Sequence, residues 1–174
     1  TAMRHNDRGM EIAQLALAYR DRGCVGFDIA GAEAGFPPSR FADAFTHLAQ
    51  NMFPVTVHAG EADGVESIRS ALVDGRTLRL GHGVRIAEDI GDLSASDAEV
   101  AGLGHVARWV LECGVPLELS PSSNLQTGAV AQWGTEIAHH PFNDLYRLGF
   151  SVTVNTDNRL MSSTTLTKEM LLLV

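Results

Sequence analysis

The sequence predicts an α/β fold in which a parallel sheet is covered by helices. Three observations carry this reading. Helix-like and strand-like segments alternate five times, the strand segments are apolar on consecutive positions, and polar residues gather where each strand ends. Strands buried on both faces read in that unbroken way, whereas a half-solvated strand alternates. With 45% of its 174 residues apolar and 20% charged, the chain can form a sizeable core and lies outside the composition of disordered segments. Its length suits one domain.

Ile12, Leu15, Ala16 and Tyr19 recur at helical spacing until Gly23, and VGFDIAG (25–31) follows as a short strand. Phe41, Phe45, Leu48 and Met52 mark the next helical face after a Pro-Pro-Ser start, leading into the β-branched FPVTVHAGE (53–61). Val65, Ile68 and Leu72 precede LRLGHG (78–83). Val100, Leu103, Val106 and Val110 precede PLELSPSSN (116–124), and Phe142, Leu145 and Leu148 precede FSVTVNTDN (150–158). The stretch NLQTGAVAQWGTE (124–136) reads as a loop with a turn of helix.

Several function classes fall away on composition. A net charge of −8, with 13 Lys and Arg that never form a run, disfavours nucleic acid. No apolar run approaches the ~20 residues of a membrane span, and TAMRHNDRGM is no secretory signal, so the expected location is cytoplasmic. Cys24 and Cys113 are too few for a disulfide framework and read as reduced core residues.

Asp28, His58, Glu61, His82, the Ser122-Ser123-Asn124 run, Asp157 and Asn158 all lie at or just past the C-terminal end of a strand, the edge where sites form in parallel sheets. In HAGE, the Ala and Gly between His58 and Glu61 leave the approach uncrowded. Two His, a Glu and an Asp around one mouth supply the ligands, proton donor and base of metal-assisted hydrolysis. His47 and His105 fall within helices and read as structural, His139-His140 as surface or helix-start residues, and His5 as a weaker site candidate.

The segments MRH (3–5), DIAG (28–31), HAGE (58–61), LGHG (80–83), SPSSN (120–124), NTD (155–157) and TLTKE (165–169) resemble, in that order, the adenosine deaminase family of metal-dependent amidohydrolases. The resemblance implies a single partial (β/α)8 TIM-barrel domain over residues 1–174, from the end of strand 3 through the start of helix 8. It implies zinc-dependent hydrolytic deamination of adenosine, and of deoxyadenosine, to inosine and ammonia, with zinc-activated water attacking purine C6. By the same resemblance His58 and Asp157 are zinc ligands, Glu61 is the proton donor to purine N1, and His82 orients the water and helps deprotonate it. By the same resemblance Gly31 is the glycine whose backbone N–H is expected to meet purine N3. Asn158 stands where many members have a second Asp, and its amide can donate to N7 without a pKa shift.

A (β/α)8 barrel needs eight strands and about 250 residues. Here five complete strands and the tail of another at TAMRH are expected, and the family's His-x-His pair occurs nowhere among the 174 residues. The chain is therefore expected to be the later part of a longer enzyme, weak in zinc binding and inactive alone, with the N-terminal part of the barrel as its partner. Two alternatives stay open: a related deaminase acting on adenine, AMP or another purine nucleoside, and a truncated non-catalytic purine-binding relative. Arg159 keeps the phosphorylated substrate in view.

Overall fold

The computed structural model describes residues 1–174 and contains five parallel strands: β1 (Phe27–Ile29), β2 (Val55–Ala59), β3 (Arg79–His82), β4 (Leu117–Leu119) and β5 (Val152–Val154). They pair in chain order, β1-β2-β3-β4-β5, with Phe27 opposite Val55, Val57 opposite Leu80, Leu80 opposite Leu117 and Leu117 opposite Val152. Residues 1–3 extend the sheet beyond β1. Ala2 bridges Ala30 in parallel, Met3 N–H donates to the Ala30 carbonyl, and Ala30 N–H donates to that of Thr1, both at 2.9 Å. Of the strand tail expected at TAMRH, only Thr1–Met3 pair with the sheet, and the chain turns at residues 3–4, where His5 N–H donates to the Ala2 carbonyl.

The helices are α1 (Gly9–Ala18), α2 (Ala42–Gln50), α3 (Val65–Val73), α4 (Ala98–Ala101), α5 (His105–Glu112), α6 (Pro121–Thr127), α7 (Phe142–Arg147), α8 (Arg159–Ser162) and α9 (Leu166–Leu172). Their apolar faces join one sheet face in a continuous cluster of 33 buried apolar residues, centred on Phe45, Leu48, Val57, Ile68, Leu80, Leu117 and Leu145. No helix is long and apolar enough to cross a membrane.

The sheet's two faces are not equivalent. Val55, Val57 and Ala59 of β2 are buried on the helix side, while Thr56 and His58 between them are half-buried. Within these 174 residues the face turned away from the helices is thus less buried than the helix side. The other carries a polar row across neighbouring strands: His58 stands opposite Gly81, Gly81 opposite Glu118, and Glu118 opposite Thr153. These groups need partners or water, and that requirement puts the chemistry on this face.

Other local readings are corrected. The buried face of α1 is Gly9, Ala13 and Ala16, whereas Leu15 and Tyr19 are exposed. Close approach to the Phe41 ring selects the small residues: a Cβ at Gly9 would lie 2.7 Å from it. The single helix read from Val100 to Val110 is two helices, α4 and α5, because Gly102 turns the chain at φ +69° and Val100 faces solvent. Ser122–Asn124 lie just past the end of β4, as expected, but in a helix: Pro121 opens α6, the position where its fixed φ suits a helix. Cys113 ends α5 just before the turn at Gly114 and is exposed, so it is not a core residue, whereas Cys24 is half-buried and packs against the core; both are free thiols.

Candidate active site

The structure brings His58, Glu61, His82 and Asp157 together at the C-terminal edge of the sheet. His58 and Asp157 line one cavity of about 120 Å3 with Gly81, His82, Glu118, Ser120 and Asn155. The imidazoles of His58 and His82 stand edge to face, with centroids 5.3 Å apart. Gly81 makes room for this arrangement, since a Cβ there would lie 2.7 Å from His58 Nδ1. His82 Nε2 is 3.3 Å from Glu61 Oε2, and donor atoms of Glu61, His82 and Asp157 lie within 4.8 Å of one another. His82 and Asp157 hold left-handed backbone at φ +64° and +50°, a conformation costing about 1–3 kcal/mol for non-glycine residues and concentrated at functional sites.

Each group is set by neighbours. Asp28 reaches His58 Nδ1 at 3.1 Å with either carboxylate oxygen. Burial pulls the His58 pKa down, but the Asp28 hydrogen bond and charge, with Glu61 and Asp157 beyond, outweigh it and leave the pKa raised. Glu61 is pushed the same way, chiefly by burial and also by the negative charges of Asp157 and Glu33, although the Thr127 hydroxyl donates to its Oε1 at 3.0 Å. His82 is the opposite case: burial, then the charge of His58, lowers its pKa to about 4. A carboxyl whose pKa is raised therefore sits beside an imidazole whose pKa is lowered, the kind of environment that separates acid and base assignments.

The donor atoms close enough together to share a metal ion are those of Glu61, His82 and Asp157, and His58 adds a donor of suitable type on the same cavity. With Nδ1 of His58 bound to Asp28, Nε2 is left as its donor, the usual arrangement for a metal-bound histidine. Asp157 Oδ2 accepts from Ser123 Oγ at 2.6 Å, which leaves Oδ1 free. Imidazole and carboxylate donors suit a divalent ion of the zinc type.

Gly31 and Asn158 stand apart from this cavity. Gly31 has φ +103° and open space where a Cβ would be, so its backbone is accessible. Asn158 is exposed, and its side-chain oxygen accepts from the N–H groups of Leu160 (3.2 Å) and Met161 (3.1 Å), capping α8. His5 is exposed outside the cavity.

Four further groups shape the site. Glu33, 4% exposed, accepts from four consecutive backbone N–H groups: Gly60 (2.6 Å), Glu61 (3.0 Å), Ala62 (2.7 Å) and Asp63 (3.1 Å). Only its position five residues past Asp28 in sequence could have pointed to it. Glu169, within TLTKE and fully buried, accepts from the Thr164 hydroxyl and from Ser122 N–H at 3.0 Å, tying α9 to the start of α6. Asn124 and His140 are buried behind His82. The surface reading of His140 is thus overturned: Pro141 and Phe142 turn its ring inward, where Phe142 N–H donates to Nδ1 at 3.1 Å.

Comparison with known proteins places this geometry. The adenosine deaminase family profile matches residues 1–174. An adenosine deaminase of Mycobacterium sp. (strain JLS) is 57% identical over the whole chain, which covers 46% of that protein. Among solved structures, an adenine deaminase from Arthrobacter aurescens superposes with a TM-score of 0.83 at 26% identity, over 99% of this chain and 47% of the other. The Arabidopsis N6-mAMP deaminase MAPDA gives 0.79 at 26%, over 100% and 46%. The chain thus spans about half the length of these relatives, and its sheet is part of a (β/α)8 barrel. With the motifs, the fold and the match over all 174 residues in agreement, the chain belongs to the adenosine deaminase family.

Proposed function

We propose that this chain supplies the proton-transfer half of an adenosine deaminase, which hydrolyses adenosine and deoxyadenosine to inosine or deoxyinosine and ammonia. The observation that carries the reading is Glu61: a half-buried carboxyl with a raised pKa, 3.3 Å from a neutral His82, at the mouth that also holds His58 and Asp157. The 57% identity to an adenosine deaminase supports it. His58 Nε2 and Asp157 would hold zinc, which when bound supplies water activated for attack at neutral pH. Attack at C6 drives electrons onto ring N1, and Glu61 delivers the proton that N1 then needs. His82 orients the attacking water. The Gly31 N–H meets N3. Because the Asn158 oxygen is occupied by the α8 cap, its Nδ2 is the group left to donate to N7, which carries only a lone pair.

The test is steady-state deamination by the enzyme extended to the full length of its relatives. Glu61→Gln keeps the shape but carries no proton, so kcat should fall by about 10²–10⁴-fold; near-wild-type turnover would remove Glu61 from the role. His58 and Asp157 fall short of the three or four protein donors of a zinc site, so the 174-residue chain alone should bind zinc weakly and be inactive. A purine nucleotide is the second reading, because Arg159 borders a cavity of about 540 Å3 shared with Asp157 and Thr165. Relative rates on adenosine, deoxyadenosine, adenine and AMP separate the two.

A further inference from the structure

A chain of hydrogen bonds runs from the backbone to His82 through two buried side chains. Phe142 N–H lies 3.1 Å from His140 Nδ1, His140 Nε2 lies 3.3 Å from Asn124 Oδ1, and Asn124 Nδ2 lies 3.0 Å from His82 Nδ1. His82, Asn124 and His140 are 4%, 0% and 5% exposed, and none of their polar atoms lacks a partner.

The polarity of this chain is fixed by groups whose chemistry has no freedom. A backbone N–H can only donate, so His140 Nδ1 accepts from Phe142, and a neutral His140 carries its hydrogen on Nε2. A second backbone donor, Ser120 N–H, points at Asn124 Oδ1 from 3.3 Å, which identifies that atom as the oxygen. Both contacts agree, and the amide cannot flip without setting N–H against N–H at Ser120 and at His140. Asn124 Nδ2 then has to donate to His82, whose Nδ1 accepts.

We propose that His140 and Asn124 are positioning residues that lock His82 in the tautomer with its hydrogen on Nε2, the nitrogen facing Glu61. The inference concerns the site read above as a deaminase's, and it refines His82's part there. In its resting form His82 presents to the mouth an Nε2–H that lies 3.3 Å from Glu61 Oε2 and can donate to an oxygen arriving at C6, and it has no lone pair there with which to take a proton from water. The same hydrogen excludes His82 from ligating a metal through Nε2, although its ring lies among the donor atoms close enough for that. Gaining a second proton would set Nδ1–H against the Asn124 amide, so the lock also disfavours the doubly protonated ring.

Nitrogen-15 NMR of histidine-labelled full chain tests this, with the His82 signals assigned by their loss in His82→Gln. Long-range proton–nitrogen correlations should show His82 Nδ1 bare and Nε2 protonated. Asn124→Asp, nearly isosteric, places a carboxylate acceptor against both rings and should move the His82 hydrogen to Nδ1. His140→Gln keeps an N–H donor and should preserve the Nε2–H form, while His140→Leu frees the amide to flip and should populate both tautomers. A wild-type His82 with hydrogen on Nδ1, or one whose tautomer ignores both Asn124→Asp and His140→Leu, overturns the proposal. In the full-length enzyme His140→Leu should lower kcat on adenosine by about 10–100-fold with KM little changed, and His140→Gln should restore most of it. The tautomer is read without turnover, so absence of deaminase activity would count against the proposed function alone.

Discussion

Glu33 shows how one buried charge fixes a reactive loop. Its carboxylate is the common acceptor for the N–H groups of residues 60–63, so the backbone that carries Glu61 is held by charge-assisted bonds rather than by packing. Glu33→Gln would turn an amide N–H toward backbone donors. It should destabilise the chain by about 2–3 kcal/mol in urea unfolding and speed amide exchange selectively at 60–63; exchange as slow as in the parent would show that the loop is held by something else. At this scale the sequence was half legible. HAGE, GHG and NTD announce His58, Glu61, His82 and Asp157 because their types and places carry chemistry. Glu33, Asn124 and His140 act through partners 27, 42 and 16 residues away, and no local pattern encodes such pairings.

Among the elements, α5 depends most on its start. Asp89 Oδ2 accepts from the N–H groups of Val106 and Ala107, both at 2.9 Å, and so places a negative charge at the helix N-terminus. Gly104 is required beside it, since a Cβ there would lie 1.9 Å from Asp89 Oδ1. Asp97 caps the single turn of α4 by accepting from Glu99 and Val100, both at 3.1 Å. Removing the α4 cap with Asp97→Ala should cost about 1 kcal/mol. Asp89→Ala should cost more, about 2 kcal/mol, because α5 buries Ala107 and Val110 in the core. Thermal melts of the two variants rank them, and the reverse order would refute the argument. Apolar spacing located this region as helical but missed the break, because Val100, Leu103 and Val106 continue a helical period across Gly102 while the two Asp caps pull the halves apart.

For the whole molecule, His82 and His140 set the response to acid. Burial holds both pKa values near 4, below the ordinary 6.5 of a histidine, so between those values the unfolded chain binds more protons and stability falls as pH falls. Each should withdraw on the order of 3 kcal/mol between pH 7 and 4. Glu61 works the other way: its raised pKa favours the folded state at low pH, and that contribution is lost as pH rises from 4.5 through its folded value. The raised pKa of His58 likewise adds stability that is complete below 6.5 and lost above its folded pKa. Two histidines outweigh one carboxyl, so the urea midpoint should drop on going from pH 6.5 to 4. In His140→Gln the drop should be smaller, and an unchanged slope would mean that His140 is not buried in its neutral form.

The sequence by itself determined the alternation of helical and strand segments, the parallel sheet, and the edge at which the polar residues meet, because periodicity and strand-end chemistry are local properties. It also determined the family, through motifs whose spacing survives in one dimension. Tertiary structure decided the rest. It made one sheet face polar, set Asp28 on His58, buried Glu33 under four N–H groups, and turned His140 inward behind Asn124 to meet His82. Each of these depends on which distant atoms share a low-dielectric space. There an unpaired donor or charge is costly, and the folded chain satisfies it with whatever partner the topology brings within reach.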